Sequence, residues 1–421
     1  MEKHAEDARR KAMVIDIDML VPKDHLLRKI EKVMDYDWLY ERLNPLYNDK
    51  VGRPGTDPVV LIKMVLIQHL FGIPSLRQTW RECDVNVAYR WFLGYDLLEH
   101  IPHFATVSYA FCNRFPAELS VEIFDHILNK ALNNRMVDPS VVFIDGTHIK
   151  ASANKKKFQK EQVNKAAKVY DEVLRKEVNE ERAKLGKKEI EDKDDDEPPK
   201  GEKTVSTTDP DCGMFVKGEH ERQFAYEAHT ACERHGFVLA VEVTPGNIHD
   251  SVAWDAVYDS VCSRFPEAEA LAMDAGYKTP WIARKILQDG RIPVLPYTRR
   301  HMNCPCREKC GANGKGQKLI QRHIWQEYLD VVEGIRKTDL GKSIYEKRKE
   351  TIERVFADAK EKHSMRYTHM RGLARVTQWV RLKFAAMNLK KLANWAWKRL
   401  CLQAFGKYFW IFEAADGCCA A

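Results

Sequence analysis

The first 120 residues combine apolar runs with signals that begin and end helices, and this pattern predicts a helical region. Asp57 followed by Pro58 is typical of a helix start, because Asp caps free backbone amides and Pro fits the first helical turn. Residues 59–71 (VVLIKMVLIQHLF) are almost entirely apolar, so we expect a buried helix there. Gly72 then ends this helix.

A second helix follows the turn after Gly72. Ser75 and Gln78 form a capping box, and the chain continues as LRQTWRECDVNVAYRWFLG, so we predict one helix through this stretch. The helix carries Arg77 and Arg81 among aromatic residues, which is compatible with a helix-turn-helix that enters a DNA groove. An ordinary helical hairpin with solvated arginines fits the same pattern, because the turn has no diagnostic spacing.

Beyond residue 140 the pattern changes to short apolar runs that alternate with segments of helical spacing. Such an order predicts a mixed α/β sheet with helical crossovers. The predicted strands are 141–151, 222–232, 236–244, 269–277 and 292–297, and the predicted helices between them are 250–265 and 281–290.

A highly charged stretch, residues 152–220, lies between the first and second predicted strands. Its few apolar positions give one thin helical stripe, so we expect a protruding helix with a disordered tip and an acidic linker at 189–197. After the sheet the chain is helical again, with one helix over 342–363 and an amphipathic helix beyond Gly372.

Length, charge and cysteine content narrow the class of protein. The 421 residues predict two or three domains. There is no apolar run of 18 residues and no apolar signal core near the start, and the eleven cysteines are mostly scattered, so we expect a cytoplasmic protein. The net charge is +7, and residues 189–197 alone contribute −6, which leaves +13 for the rest. This excess favours nucleic acid as a partner, although a solvated basic surface is equally compatible.

Two aspartates follow apolar runs of the predicted sheet. Asp145 comes at the end of VVFI, and Asp274 follows ALAM. Ligands of open α/β sheets bind at the carboxyl ends of strands, and two such carboxylates on neighbouring strands can hold a divalent metal ion. Either residue alone is more simply explained as the beginning of a turn.

The helix predicted over 342–363 offers a third acidic group with cations near it. Tyr345, Arg348, Glu353 and Lys360 fall within sixteen positions, and Glu353 and Lys360 are seven apart and share a helix face. This combination suits a metal ligand flanked by phosphate-binding cations. A solvated helix with ion pairs is the competing interpretation.

Three cysteines form a separate cluster in NCPCREKCG, at Cys304, Cys306 and Cys310. With His301 or His323 they would supply the four ligands of a structural zinc ion. The C-x-C-x3-C spacing differs from that of standard zinc fingers, so reduced thiols in a surface loop are the alternative.

Six segments, spanning roughly residues 20–395, match one family in the family's order. The chain resembles the DDE transposases of bacterial insertion sequences, closest to the group numbered eleven-eighty-two and related to the insertion-sequence four and five transposases. The matching segments are GRPGTDPVVLIKMVLIQHLFGI, NVAYRWFLGYDL with PHFATVS, VFIDGTHIKASANKKK, FAYEAHTACERHGFVLAVEVTPGNIHDS, AMDAGYKTP and KRKETIERVFADAKEKHSMRYTHMRGLARV.

The resemblance implies an all-α N-terminal DNA-binding domain and an α/β ribonuclease H-like catalytic domain with a mixed five-stranded sheet. The implied bounds are 1–120 and 138–395, with the charged insertion at 152–220 inside the second domain and a C-terminal tail at 396–421.

The resemblance also implies that Asp145, Asp274 and Glu353 are the catalytic and metal-binding residues. They would hold two Mg²⁺ or Mn²⁺ ions for phosphoryl transfer. Related transposases carry a Tyr-x2-Arg-x3-Glu-x6-Lys signature whose side chains contact DNA. Lys360 has the expected spacing from Glu353, whereas four residues instead of three separate Arg348 from Glu353, and Tyr345 precedes Arg348 at the expected distance.

The family block IHD brings in two further residues, His249 and Asp250, as possible support for the metal site. Asp250 as a plain helix cap is the alternative.

The implied function is a DNA transposase of the bacterial nucleoid. It would bind the terminal inverted repeats of its element and the target DNA as a homo-oligomer, and would cut and rejoin DNA. Three alternatives stay open: an inactive or domesticated transposase that only binds DNA, a nuclease without strand transfer, and an assembly protein built on the charged insertion.

Overall fold

The computed structural model describes residues 14–47, 55–164, 171–190, 200–217, 221–297 and 323–416. The chain divides into two compact units, and each is described by itself. The first comprises Met1–Glu122 and Ala386–Ala421, and the second comprises Ile123–Ala385. Among the described residues, none of the helices has the length and apolar character needed to cross a membrane.

The N-terminal part of the first unit is helical, as the sequence predicts. Asp57 caps the buried fourth helix by accepting a hydrogen bond from the Val59 amide at 2.7 Å, and Gly72 adopts a left-handed φ of +65° just after its end. Its helices, in chain order, are α1 (Ile17–Leu20), α2 (Leu26–Val33), α3 (Asp37–Leu43), α4 (Pro58–Leu70), α5 (Leu76–Val85), α6 (Val87–Leu93) and α7 (Phe104–Tyr109). The next helix, α8 (Leu119–Asn133), begins in this unit, and most of it belongs to the second unit.

The prediction of one continuous helix after Ser75 is wrong, because the chain breaks at Asn86 into α5 and α6. Asn86 has extended backbone angles, and its side-chain oxygen accepts hydrogen bonds from the amides of Ala88 and Tyr89 at 2.9 and 3.2 Å. An Asn side chain competes with the helix for backbone groups in this way. Ser75 caps α5 through the Gln78 amide, as expected.

Replacing Asn86 by Ala is expected to destabilise the protein by about 1 kcal/mol, because two amides at the start of α6 lose their acceptor. Urea unfolding followed by circular dichroism would measure the change. Asn86→Asp keeps an acceptor oxygen and serves as the matched control with nearly wild-type stability. Equal stability of Asn86→Ala and the wild type would show that the cap contributes nothing.

The second unit is built on one mixed sheet. Its strands run in the order β4-β5-β1-β7-β8, with β6 also paired to β5; β1 is antiparallel to β5 and parallel to β7, and β7 is parallel to β8. The strands of this sheet are β1 (Val141–Lys150), β4 (Gly213–Lys217), β5 (Glu221–Glu233), β6 (Val238–Pro245), β7 (Ala270–Met273) and β8 (Ile292–Val294).

The sheet has six strands instead of the five that were expected, because the charged insertion supplies β4. This strand pairs with the first residues of β5, next to the stretch of β5 that pairs with β6. The insertion also forms an antiparallel ribbon of β2 (Phe158–Asn164) and β3 (Lys200–Ser206), besides the expected helix α9 (Asp171–Lys184). Backbone hydrogen bonds hold the two strands of this ribbon together. The pattern of apolar residues along the chain does not predict such pairing. Residues 191–197 of the predicted linker lie outside the described residues.

The helices of the second unit pack on the sheet. Helix α10 contacts β5 and β6 and buries Trp254 and Tyr258, whereas α13 contacts β1, β5, β7 and β8. These helices and the others of the C-terminal part are α10 (Asp250–Arg264), α11 (Pro280–Gln288), α12 (Gln326–Lys337), α13 (Asp339–Glu361) and α14 (Leu373–Asp416). The sheet therefore meets α10 and α13 close to the predicted aspartates.

Candidate metal centre

Asp145 and Asp274 lie side by side at one place in the sheet. The parallel pairing of β1 with β7 ends at Ile144 opposite Met273, so the next residue on each strand is one of the two aspartates. Asp274 directly follows β7, as expected. Asp145 lies in the middle of β1, because antiparallel pairing with β5 carries β1 on to Lys150.

Backbone amides orient both carboxylates. Asp145 Oδ1 accepts the Gly146 amide at 2.9 Å, and Asp274 Oδ1 accepts the Gly276 amide at 2.8 Å. One oxygen of each group is thus fixed by the chain itself, which pre-sets the direction of the other.

Two glycines allow further carboxylates to approach. A Cβ at Gly276 would lie 2.7 Å from Asp250 Oδ2 and 3.1 Å from Asp274 Oδ1, and a Cβ at Gly146 would lie 2.6 Å from Glu227 Oε1 and 3.1 Å from Asp250 Oδ1. Any side chain at either glycine would displace these oxygens. Asp250 therefore lies between Asp274 on one side and Glu227 on the other.

Helix α13 brings a cation and the third predicted acid to Asp145. Arg348 is 8% exposed; its Nη2 donates to Asp145 Oδ2 at 2.6 Å, and its Nη1 lies 3.6 Å from Glu353 Oε1. Glu353 itself is half exposed. Within the described residues, the buried Nε of Arg348 has no hydrogen-bond partner. Arg348 thus links Asp145 to Glu353 despite its irregular spacing in the sequence signature.

The electrostatics of the centre favour a bound cation. Burial, together with the charges of Asp274 and Asp250, raises the pKa of Asp145 to about 6, although Arg348 acts to lower it. Burial, and then the charge of Asp250, raise the pKa of Glu227 to about 8. An unpaired buried carboxylate is costly to ionise, and hard divalent cations prefer carboxylate oxygens as ligands. The carboxylates of this centre therefore fit such an ion.

Two members of this centre, Glu227 and His229, were missed by the sequence analysis. They lie on the same face of β5, at alternate positions of the run RQFAYEAHTAC. His229 is fully buried, and its Nδ1 lies 3.7 Å from Asp250 Oδ1. Two ionisable residues facing one side of an otherwise apolar strand were the signal that could have identified them.

The start of α10 shows which residue of the block IHD caps the helix. His249, not Asp250, is the helix cap, with its Nδ1 accepting the Ser251 amide at 3.2 Å. Asp250 is the first residue of the helix and faces the acidic centre. Asp250 lies close to Asp274 and Glu227, whereas His249 is exposed, and support of a metal site by either residue stays a prediction.

The comparisons with known proteins give two family matches. The description "Transposase domain (DUF772)" matches residues 15–112, and "Transposase DDE domain" matches residues 281–393. Together the two matches indicate a DDE transposase of the insertion-sequence type. No curated protein matches it.

Several solved structures of another transposase align with this transposase at low similarity. The Mos1 transposase paired-end complex with left transposon end is 8% identical, covers 78% of this chain and 86% of that chain, and has a TM-score of 0.19. The mariner Mos1 paired end complex with Mg is 11% identical, with coverage of 78% and 86% and a TM-score of 0.19. TM-scores this low do not establish a common fold.

Of the remaining predicted residues, Tyr345 contacts the centre through Arg348: burial raises the pKa of its hydroxyl, and a side-chain hydrogen bond with Arg348 lowers it. Arg77 and Arg81 are exposed on α5, and Arg77 lies over the Phe104 ring, 5.0 Å from its centroid. Lys360 lies in the last turn of α13 and Tyr345 in its first half.

The predicted zinc site falls outside the described residues. This applies to Cys304, Cys306, Cys310 and His301. His323 is described, and its Nδ1 accepts the Trp325 amide at 3.1 Å. The zinc site stays a prediction.

Proposed function

We propose that this transposase binds the terminal inverted repeats of an insertion sequence and cuts and joins DNA at the carboxylate centre. The observation that carries the proposal is the placement of Asp145 and Asp274 on adjacent parallel strands, with α13 bringing Glu353 to Asp145 through Arg348. Apart from β4, the antiparallel strands β6, β5 and β1 followed by the parallel strands β7 and β8 support a ribonuclease H-like fold.

The proposed metal ligands are Asp145, Asp274 and Glu353, and the proposed ions are two Mg²⁺ or Mn²⁺. Such ions, when bound, lower the barrier of phosphoryl transfer by polarising the phosphate and activating the attacking oxygen. The chain contributes orientation: the Gly146 and Gly276 amides hold one oxygen of each aspartate. Arg348 offsets the negative charge of both acids, with Nη2 2.6 Å from Asp145 Oδ2 and Nη1 3.6 Å from Glu353 Oε1.

The DNA contacts are proposed on charge and position. Arg348, Tyr345 and Lys360 share α13 with Glu353, so a DNA strand at the acidic centre would pass close to them. Arg77 and Arg81 are exposed on α5 and are suited to phosphate contacts. Joining two ends of an element requires both in one complex, so the active form is proposed to be a homo-oligomer.

The purified full-length protein is expected to nick a labelled duplex that carries the repeat flanking its gene when Mg²⁺ or Mn²⁺ is present, and to join the freed 3′ end to a supercoiled plasmid. EDTA should abolish both products, and added metal should restore them. A scrambled repeat is the control for specificity. Binding without cleavage in either metal would favour the inactive, DNA-binding alternative, and cleavage without joining would favour a nuclease.

A further inference from the structure

Three metal-ligating side chains face one another from two elements of the second unit. Glu227 and His229 lie on β5, Asp250 begins α10, and one donor atom from each lies within 4.8 Å of the others. Two carboxylates and one imidazole are a donor set that the proposed cleavage by Asp145, Asp274 and Glu353 does not use.

The histidine of this group is held as a metal ligand would be. His229 is fully buried, and its Nε2 lies 2.9 Å from Thr244 Oγ1, outside the cluster. Its Nδ1 faces the cluster with only long contacts, 3.5 Å to the Tyr277 hydroxyl and 3.7 Å to Asp250 Oδ1. A hydrogen bond that fixes one ring nitrogen and leaves the other to face a ligand is typical of metal-binding histidines.

The carboxylates converge on the same point from two directions. Glu227 is 4% exposed, and its Oε1 and the Oδ1 of Asp250 both lie close to where a Cβ of Gly146 would be, at 2.6 and 3.1 Å. In β1, Gly146 is paired with His229, so the missing side chain lets both carboxylate oxygens come close to the backbone beside His229. The other oxygen of Glu227, Oε2, lies 3.4 Å from His148 Nε2, so Oε1 is the oxygen that faces the cluster.

We propose that Glu227, His229 and Asp250 bind a divalent transition-metal ion such as Mn²⁺, Co²⁺ or Zn²⁺. The imidazole nitrogen sets the class of ion, because nitrogen ligands suit these metals, whereas Mg²⁺ prefers a site made of oxygens. The proposal does not rest on the proposed function, because binding by these three side chains needs neither DNA nor Glu353.

The test is electron spin echo spectroscopy of Mn²⁺ added to the full-length, metal-stripped protein. Wild type is expected to show nitrogen modulation from one coordinated imidazole, and His229→Gln is expected to lose it. Glu227→Gln is expected to bind Mn²⁺ at least about tenfold more weakly, because one of three ligands loses its charge. Asp145→Asn should keep the nitrogen signal, which separates this group of ligands from the proposed catalytic acids.

The matched control is His235→Gln, because His235 is exposed in the turn that joins β5 to β6. This variant should keep the nitrogen signal and the Mn²⁺ affinity. Absence of nitrogen modulation in the wild type would overturn the proposal even if His229→Gln fails to fold, and so would its persistence in a folded His229→Gln. Loss of DNA cleavage alone would bear on the proposed function and not on this site.

Discussion

Replacing Asp274 by Asn is expected to lower the rate of strand cleavage by at least about 1000-fold while the protein still binds terminal-repeat DNA, because a ligand of the reacting phosphate's metal ions is lost. Asn keeps a side-chain oxygen at the position where Asp274 Oδ1 accepts the Gly276 amide at 2.8 Å. The turn after β7 should therefore keep its structure. The substitution removes the charge and little else.

The rate is measured on a labelled duplex in Mg²⁺, and DNA binding by gel shift in Ca²⁺. Asp259→Asn is the matched control: it removes an exposed carboxylate on α10 that pairs with Lys285 and is expected to cleave at the wild-type rate. Cleavage by Asp274→Asn within tenfold of wild type would show that the catalytic acids are elsewhere. Loss of both cleavage and DNA binding would instead indicate a folding defect, which circular dichroism would detect.

Local signals in the sequence predict much of the fold. Asp57 and Pro58 begin α4 where expected, and the apolar runs beginning at Val141 and Ala270 form β1 and β7, whose parallel pairing ends just before Asp145 and Asp274. These features depend on residues close together in the chain, so periodicity and capping preferences identify them. Only the family resemblance predicts that Asp145, Asp274 and Glu353 act together, because no spacing rule connects residues so far apart.

The rest depends on contacts between distant residues. Strand β4 forms because β5 extends beyond β6 and leaves an edge that a charged segment can pair with through its backbone. Arg348 reaches Asp145 because α13 packs on β1, and Glu227 meets Asp250 because α10 packs on β5. Residue spacing along the chain carries no information about these approaches, and Glu227 and His229 were therefore missed.

Replacing Glu227 by Gln is expected to stabilise the metal-free protein at pH 9 by about 5 kcal/mol and to have little effect at pH 4. Burial, then the neighbouring charge of Asp250, raise the pKa of this carboxyl from 4.5 to about 8. Below pH 4.5 the group is protonated in both the folded and the unfolded state. Between pH 4.5 and 8 the carboxyl ionises only in the unfolded state. The free energy of unfolding of the wild type therefore falls over this pH range and stays low above it.

Gln cannot ionise, so the free energy of unfolding of the variant should not fall in this way. The variant should therefore become more stable than the wild type as the pH rises from 4.5 to 8. Urea unfolding in EDTA at pH 4, 6, 7.5 and 9 measures the difference, and Glu267→Gln, at an exposed position of the same unit, controls for loss of a surface charge. Added Mn²⁺ should reverse the order at pH 9, because the wild-type carboxylate then gains a cation that Gln binds poorly. Parallel pH curves for wild type and Glu227→Gln would mean that Glu227 ionises in the folded protein as easily as in the unfolded chain. The carboxyl would then not be held in the buried, acidic surroundings described for it.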